Sequence, residues 1–354
     1  MLDRRDVPLA ALTTLRLGGP ARRLVTVYDE PSLLEVVRAA DADGEPLLVL
    51  GGGSNVVLPD HGYAGTVVRI ALHGLTVSLD GDTVQVTAAA GEDWESFVAL
   101  CVSDHLVGIE ALSGIPGLVG ASPIQNIGAY GQDVAQTISS IRAYDRQTQS
   151  VLDLPAALCG FSYRHSAFKA APGRWIVLSV TFALRLGELS TPVGYAELAR
   201  VLDVAVGDRA PLADVRQAVL ALRRGKGMVL DAADPDTSSA GSFFTNPLLS
   251  AEAATALRGR VQKRCGAGIL APEWPGGQGR VKVSAAWLIE QAGFVKGSFD
   301  GPVGISSKHT LALVHRGGGR TADLLAVARE IRDGVRADFG VDLAAEPVLV
   351  GDTL

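Results

Sequence analysis

The chain has few aromatic residues and no excess of positive charge. Of its 354 residues, 5% are aromatic and 20% are charged, and the formal net charge is −6. This balance disfavours a nucleic-acid partner, because such binding requires a basic surface that neutralises phosphates. We therefore expect no nucleic-acid partner, although a local cationic pocket for a small anion is compatible with the composition.

Cysteine and histidine are also sparse, and neither forms a metal-binding pattern. The three cysteines, Cys101, Cys159 and Cys265, are odd in number and far apart, with no C-x-x-C pair. This spacing argues against a zinc site or a redox disulfide and favours buried free thiols. The six histidines show no ligand spacing, so we expect no metal centre.

Long apolar runs are missing as well. No stretch reaches the roughly 18 apolar residues that span a bilayer, and residues 1–6 are charged rather than apolar. We expect a cytoplasmic protein that does not insert into a membrane.

Apolar residues and glycine, by contrast, are abundant. Hydrophobic residues make up 47% of the chain, which also contains 41 glycines. The length favours more than one hydrophobic core. A polar, proline-containing link over 231–236 suggests a boundary, so we expect a first domain over 1–228 and a second over 229–354. The last strand is a candidate to return to the first domain.

The hydrophobic pattern predicts a mixture of helices and strands. Residues 21–70 indicate β-α-β-β order, and Asp80-Gly81-Asp82 separates two apolar runs as in a hairpin. Further predicted elements are helices over 92–104 and 212–224, strands over 138–144, 150–153, 175–185 and 348–350, and a helix from a Thr321 cap to about Gly340, with Leu324, Leu325, Ala328, Ile331 and Val335 on its apolar side.

Two glycine-rich loops are candidate phosphate cradles. The first, GGGSN at 51–55, follows an apolar run, so its backbone N–H groups can converge on a pyrophosphate without interference from Cβ atoms. It lacks the Gly-Lys-Ser/Thr of a P-loop and the third glycine of a dinucleotide fingerprint; the alternative is a plain tight turn. The second loop covers 113–131 and has few polar side chains, which indicates contact through backbone. Its alternative is a buried turn between two sheets.

Seven motifs together resemble the UDP-N-acetylenolpyruvoylglucosamine reductase family, in the subclass with an additional tyrosine segment. They cover nearly the whole chain, and the long central motif and the GSFFTNP motif are the most specific. In chain order they are TLRLGGPA at 14–21, GGGSN at 51–55, SGIPGLVGASPIQNIGAYG at 113–131, YRHS at 163–166, GSFFTNP at 241–247, AAWLIE at 285–290 and Glu346.

The resemblance implies an α+β fold with a two-lobed FAD-binding domain of the vanillyl-alcohol oxidase type and a smaller α+β substrate domain. It also implies reduction of the enolpyruvyl ether of UDP-N-acetylglucosamine to UDP-N-acetylmuramate for peptidoglycan, with hydride passing from NADPH through FAD. We expect a monomer. Ser54 stands in the first loop where some proteins of the wider fold attach flavin through histidine, so we expect noncovalent FAD.

The resemblance further implies three catalytic residues. Hydride addition to C3 leaves an enolate-like anion, which the always-charged guanidinium of Arg164 suits. Ser242 occupies the position of the proton donor to C2, and Glu346 that of an assisting carboxylate, although Ala344 stands where the family often has a second glutamate. The alternatives are a structural ion pair for Arg164, a turn cap for Ser242 and an exposed strand end for Glu346.

The remaining site residues follow from the same resemblance. The expected substrate contacts are Tyr195, Lys226, Asn246 and Lys308. The alternatives are a core tyrosine for the first, a solvated basic turn for the second and a turn-initiating Asn-Pro for the third. The expected FAD contacts lie in the two loops: Gly51, Gly52, Gly53, Ser54, Asn55, Ser113, Gly114, Pro116, Gly117, Gly120, Ala121, Gln125, Asn126, Gly128, Ala129 and Tyr130.

Two other functions compete with this interpretation. One is an FAD-dependent oxidase of sugars or alcohols on the same fold, which would pass electrons to oxygen. The other is a nonenzymatic nucleotide- or flavin-binding module, which would leave Arg164, Ser242 and Glu346 without a shared purpose.

Overall fold

A computed structural model describes all residues from 1 to 354. It contains eight α-helices and twenty strands. The helices are α1 Glu30–Ala42, α2 Trp94–Ser103, α3 Ala167–Ala170, α4 Ala196–Leu202, α5 Leu212–Gly225, α6 Ala251–Cys265, α7 Ala285–Gln291 and α8 Thr321–Phe339. The strands are β1 Leu2–Pro8, β2 Pro20–Val27, β3 Leu47–Leu50, β4 Val56–Val57, β5 Tyr63–Ile70, β6 Leu75–Asp80, β7 Thr83–Ala89, β8 Leu106–Val107, β9 Gly128–Ala129, β10 Gln132–Asp133, β11 Ile138–Asp145, β12 Ser150–Pro155, β13 Trp175–Leu186, β14 Ser239–Ser242, β15 Leu248–Leu249, β16 Glu273–Pro275, β17 Val281–Val283, β18 Val303–Ile305, β19 Ala312–His315 and β20 Val348–Leu349.

The chain forms two compact units. The first comprises residues 1–7, 21–53 and 63–229, and the second comprises 8–20, 54–62 and 230–354. Two short N-terminal segments therefore group with the C-terminal part of the chain, because their contacts lie there. A single cut along the sequence cannot describe this arrangement.

The first unit contains a small sheet, and its strand β3 leads into the first glycine loop. Its strand order is β1-β2-β5-β3, and β5 runs parallel to both β2 and β3. Helix α1 confirms the helix that was predicted between two of these strands. At its start, the carboxylate of Asp29 accepts the N–H of Ser32 at 2.8 Å. Such an N-cap satisfies a backbone donor that the helix leaves free.

A six-stranded antiparallel sheet completes the first unit. Its order is β12-β11-β13-β7-β6, with β8 paired to β13, and the predicted hairpin is confirmed as β6–β7. Trp94 and Phe97 of α2 pack on Phe182 of β13, with ring centroids 5.1–5.9 Å apart. One apolar core joins this sheet, α2 and the parallel sheet, so the loops at its edge rest on a rigid support.

The second unit is built from short strands and long helices. It has two three-stranded antiparallel sheets, β14-β19-β18 and β15-β17-β16, and β20 runs parallel to β4. The predicted apolar side of α8 is confirmed as buried core, from Leu324 to Val335. The helix ends where Gly340 adopts φ 65°, a conformation that glycine favours.

The start of α8 differs from the sequence prediction. Thr321 does not cap the helix: it is the first helical residue, and its hydroxyl donates to the carbonyl of Leu58 at 2.7 Å. The capping carboxylate belongs to Asp60, which accepts the N–H groups of Thr321 and Ala322 at 2.7 and 3.0 Å. The prediction was wrong because a cap supplied from a distant segment leaves no local sequence signal.

Candidate active site

The first glycine loop is a tight turn directly after β3. Gly53 adopts φ 63°, and a Cβ on Gly52 would lie only 2.8 Å from the Cα of Gly117 in the second loop. The two glycine loops therefore touch through backbone, which is possible only without side chains at the contact. Ser54 and Asn55 continue the turn into the second unit.

The N-terminal end of α2 holds the second loop in place. The N–H of Trp94 donates to the carbonyl of Gly117 at 3.0 Å, and the N–H of Val119 donates to that of Glu92 at 2.9 Å. A Cβ on Gly120 would approach that of Ala90 to 2.4 Å. The loop thus packs closely against Ala90, which directly follows β7, and this close approach requires glycine at position 120.

The distal part of the second loop carries unusual backbone geometry. Asn126 and Tyr130 have φ values of 48° and 49°, in the left-handed region that most residues avoid. The buried amide of Asn126 supports the turn: it donates to the carbonyl of Ser162 at 3.1 Å and accepts the N–H of Ala135 at 3.0 Å. Asn126, which we expected to contact FAD, thus braces the loop in this structure.

Arg164 lies against this same part of the loop. Its guanidinium donates to the carbonyl oxygens of Gly128 at 2.9 Å and Asn126 at 3.4 Å. The residue itself has φ 53° at the tip of a turn closed by Ser162 and His165. Such strain in a non-glycine residue is typical of functional sites. The structure therefore fixes a permanent cation beside the loop, as the motif at 163–166 implied.

A second cation near the loop, Arg223 of α5, was not identified from the sequence. Its Nε atom is buried without a hydrogen-bond partner and lies 3.3 Å from where a Cβ on Gly114 would be. One terminal nitrogen donates to the carbonyl of Met228 at 2.9 Å. Burial lowers the pKa of Arg223 to about 10, so it stays charged at neutral pH. Its helical spacing from Val215 and Val219 puts Arg223 on the buried side of α5, but only the fold shows that the second loop packs there.

The predicted substrate residues Tyr195 and Lys226 also meet beside the second loop. The ring of Tyr195 contacts that of Tyr130 edge-on, with centroids 5.5 Å apart. The ammonium of Lys226 lies 5.6 Å from the centroid of the Tyr130 ring and 2.6 Å from a carboxylate oxygen of Glu197. Tyr195, Lys226 and Tyr130 of the second glycine loop therefore form one cluster in the first unit.

Ser242 and Glu346 come together in the second unit. Ser242 ends β14, where the pairing with β19 is irregular and Gly241 adopts φ 73°. The N–H of Glu346 donates to the carbonyl of Phe243 at 2.8 Å, and the side chain of Asn55 donates to the carbonyl of Glu346 at 3.4 Å. Both catalytic candidates are half-buried. They are thus neighbours in space although they are far apart in sequence.

The other two substrate candidates have structural partners in the second unit. The side-chain oxygen of Asn246 accepts the N–H of Ala285 at the start of α7, at 2.9 Å. Lys308 pairs with Asp234 at 2.5 Å, and this hydrogen bond raises the pKa of Lys308. Their assignment as substrate contacts stays a prediction.

The geometry of the first unit fits a flavin cofactor. A ligand with a diphosphate and an electron-accepting ring needs a close backbone approach and positive charge. The chain offers two abutting glycine loops, and it holds the buried, unsatisfied Nε of Arg223 and the anchored Arg164 beside the second of them. An unpaired buried donor is costly, so Arg223 suits an acceptor atom of a bound group.

Comparison with known families agrees with this geometry. A family model described as FAD binding domain matches residues 21–151, and the chain is an FAD-dependent oxidoreductase. A second model, UDP-N-acetylenolpyruvoylglucosamine reductase, C-terminal domain, matches residues 234–350. The chain belongs to the UDP-N-acetylenolpyruvoylglucosamine reductase family, as its similarity to named relatives shows.

Those relatives align with nearly the whole chain. The UDP-N-acetylenolpyruvoylglucosamine reductase of Thermobifida fusca is 57% identical, covering 99% of this chain and 98% of its own. That of Streptomyces coelicolor is 55% identical, covering 99% and 90%.

A solved structure shows the same fold. The reductase of Thermus caldophilus has a TM-score of 0.64 at 24% identity, covering 98% of both chains. The predicted α+β fold with an FAD-binding domain is confirmed. No helix of the structure has the length and apolar character needed to cross a membrane.

Proposed function

We propose that the protein reduces the enolpyruvyl ether of UDP-N-acetylglucosamine to UDP-N-acetylmuramate with NADPH, a step of peptidoglycan synthesis. The observation that carries this proposal is the backbone hydrogen bond that brings Glu346 beside the Ser242–Phe243 segment. This bond places the two segments that carry a hydroxyl and a carboxylate next to each other, and both groups are suited to proton transfer. The relatives from Thermobifida fusca and Streptomyces coelicolor are named as reductases of the same substrate.

Bound FAD would supply the redox chemistry, which is the relay of a hydride equivalent from NADPH to C3 of the alkene. We propose that the backbone of the two glycine loops contacts the diphosphate of FAD, and that Arg223 donates to an acceptor atom of the cofactor. The binding is noncovalent in this proposal, because Ser54 offers no histidine for attachment at the first loop.

Arg164 holds the substrate carboxylate and the negative charge that develops at C2. Its guanidinium is forked, permanently charged and already oriented by the carbonyl oxygens of Gly128 and Asn126. A cation that needs no reorientation during the reaction stabilises the transition state, which carries additional negative charge, more than it stabilises the bound substrate.

Ser242 donates the proton that C2 receives, and Glu346 assists it. A serine hydroxyl is a weak acid, so the strongly basic enolate must be its acceptor. Glu346 serves as the carboxyl partner that assists the transfer or orients the charged groups. The ring of Tyr195 covers the UDP portion, and Lys226 pairs with the diphosphate. Asn246 contacts the uridine portion, and Lys308 contacts the nucleotide.

The absorption spectrum of the purified protein tests the function directly. NADPH added without oxygen should bleach the flavin bands, and the enolpyruvyl sugar nucleotide should restore them faster than any other acceptor. Fastest recovery with oxygen would instead indicate an oxidase. A colourless protein that binds no added FAD would indicate a nonenzymatic module, and either result would overturn the proposal.

A further inference from the structure

The ammonium of Lys226 is already engaged by a carboxylate of its own chain. Its Nζ atom lies 2.6 Å from Oε2 of Glu197. Both side chains are about one-third exposed, at 32% and 34%. The pair is therefore reachable from solvent, and it sits at the ring of Tyr130 on the second glycine loop.

Glu197 and Tyr195 both lie at the N-terminal end of the short helix α4. Tyr195 is the N-cap residue of α4, and Glu197 lies in its first turn. The Tyr195 ring meets Tyr130 at an interplanar angle of 88°. Glu197, which pairs with Lys226, thus lies two residues from the predicted substrate tyrosine, which contacts Tyr130.

The electrostatics of the pair oppose a second anion. Burial, the largest influence, lowers the pKa of Lys226, but the hydrogen bond to Glu197 raises it and the net shift is upward. Lys226 is therefore a cation, and it already has a carboxylate partner in Glu197. A diphosphate arriving at this ammonium meets the negative carboxylate as well, and like charges at contact distance repel.

We propose that Glu197 sets the affinity for the nucleotide by competing with its diphosphate for Lys226. The carboxylate acts as an internal counter-anion that must be displaced or tolerated when a nucleoside diphosphate binds. This inference rests on the proposed function, specifically on Lys226 as the diphosphate contact. Nucleotides should therefore bind more weakly and dissociate faster than they would if Lys226 had no carboxylate partner.

Calorimetric titration of the FAD-loaded protein with UDP tests the proposal. In Glu197→Gln the carboxylate charge is gone but the shape is kept, and the Kd for UDP should fall by about two- to fivefold, the range for a partly exposed ion pair. With the enolpyruvyl sugar nucleotide, KM should fall by a similar factor. Glu197→Ala should show the same direction, and thermal melting of both variants checks that α4 stays folded.

Asp214→Asn provides the matched control. Asp214 is an exposed acid in the first turn of α5, in the same unit. Its substitution therefore changes the net charge, and the charge at a helix N-terminus, by the same amount as Glu197→Gln does. UDP affinity should be unchanged in this variant. Equal tightening in both variants would assign the effect to overall charge and overturn the role of Glu197.

A double-mutant cycle separates this inference from the proposed function. Lys226→Met should weaken UDP binding, and Glu197→Gln should have no further effect in that background. If Lys226→Met weakens binding while Glu197→Gln weakens it or leaves it unchanged, the competition is refuted and the proposed function stands. If Lys226→Met binds UDP normally, the diphosphate contact itself is wrong. Failure of the enolpyruvyl compound to reoxidise the flavin in the unaltered protein would refute the function independently.

Discussion

The two units provide opposite kinds of chemistry. The first unit holds cations, Arg164, Arg223 and Lys226, on or beside a loop made mostly of backbone. The second unit holds a hydroxyl and a carboxylate, Ser242 and Glu346, at the ends of short strands. Carbonyl oxygens hold the guanidinium of Arg164, and the Nε atom of Arg223 is buried. Both arginines are half-buried as whole residues, as are Ser242 and Glu346. The two units therefore differ in the kind of group that they hold, positive charge in the first and a hydroxyl and a carboxylate in the second.

The largest expected effect divides the reaction between the two units. Ser242→Ala should leave bleaching of the flavin by NADPH unchanged and slow reoxidation by the enolpyruvyl substrate by about 10²–10⁴-fold, because only the second half-reaction needs the proton. Anaerobic stopped-flow absorbance measures both halves. Ser250→Ala, which removes the cap of α6 in the same unit, should lower stability and leave both rates intact. Equal slowing of the two half-reactions by Ser242→Ala would contradict the division.

The next effect concerns the cation beside the loop. Arg164→Met should slow reoxidation by the enolpyruvyl substrate by about 10²–10³-fold, since the developing anion loses its fixed donor. Arg164→Lys should recover little of this, because one ammonium does not replace a fork. Arg142→Met removes a surface partner of Glu30 in the same unit and should react normally. Comparable losses in Arg142→Met would mean that Arg164 acts only through the fold.

A smaller effect is expected for the buried cation of α5. Arg223→Met should lower the two-electron reduction potential of bound FAD by about 30 mV, equivalent to about 1.4 kcal/mol, because reduced flavin gains negative charge that the cation stabilises. Equilibration with a reference dye measures the potential. The adjacent, exposed Arg224 offers the control: Arg224→Met should leave it unchanged. An unaltered potential in Arg223→Met would remove Arg223 from the flavin site.

The smallest effect belongs to the framework of the second unit. Asp60→Ala should reduce the free energy of unfolding by about 1 kcal/mol, since two N–H groups at the start of α8 lose their acceptor. Urea denaturation followed by circular dichroism measures the change. Asp352→Ala, near the exposed C-terminal end, should cost nothing measurable. A neutral Asp60→Ala would show that water replaces the cap.

Much of the secondary structure was predictable because local patterns encode it. The hairpin at β6–β7 follows from Asp80-Gly81-Asp82, and the buried side of α8 follows from apolar residues at helical spacing. The cap of α8 was not predictable, since Asp60 comes from a segment that folds with the C-terminal half. The grouping of 8–20 and 54–62 with the second unit escaped prediction for the same reason.

The candidate site divides in the same way. Its named residues came from motifs: the glycine loops, Arg164, Ser242 and Glu346. The roles of Asn126 as a brace and Arg223 as a buried cation came only from the fold, because neither has a distinctive neighbouring sequence. Glu197 is a further case, since nothing in its helix indicates a partner on α5.

By itself, the amino-acid sequence determined which chemical groups the protein possesses and which local elements carry them, because turn residues and hydrophobic periodicity act over a few positions. Only the tertiary structure decided which of these groups meet. The contacts of Glu346 with the Ser242 segment and of Lys226 with Glu197 join residues that lie far apart along the chain. Their pairing depends on how the sheets and helices pack, and packing is a property of the whole fold.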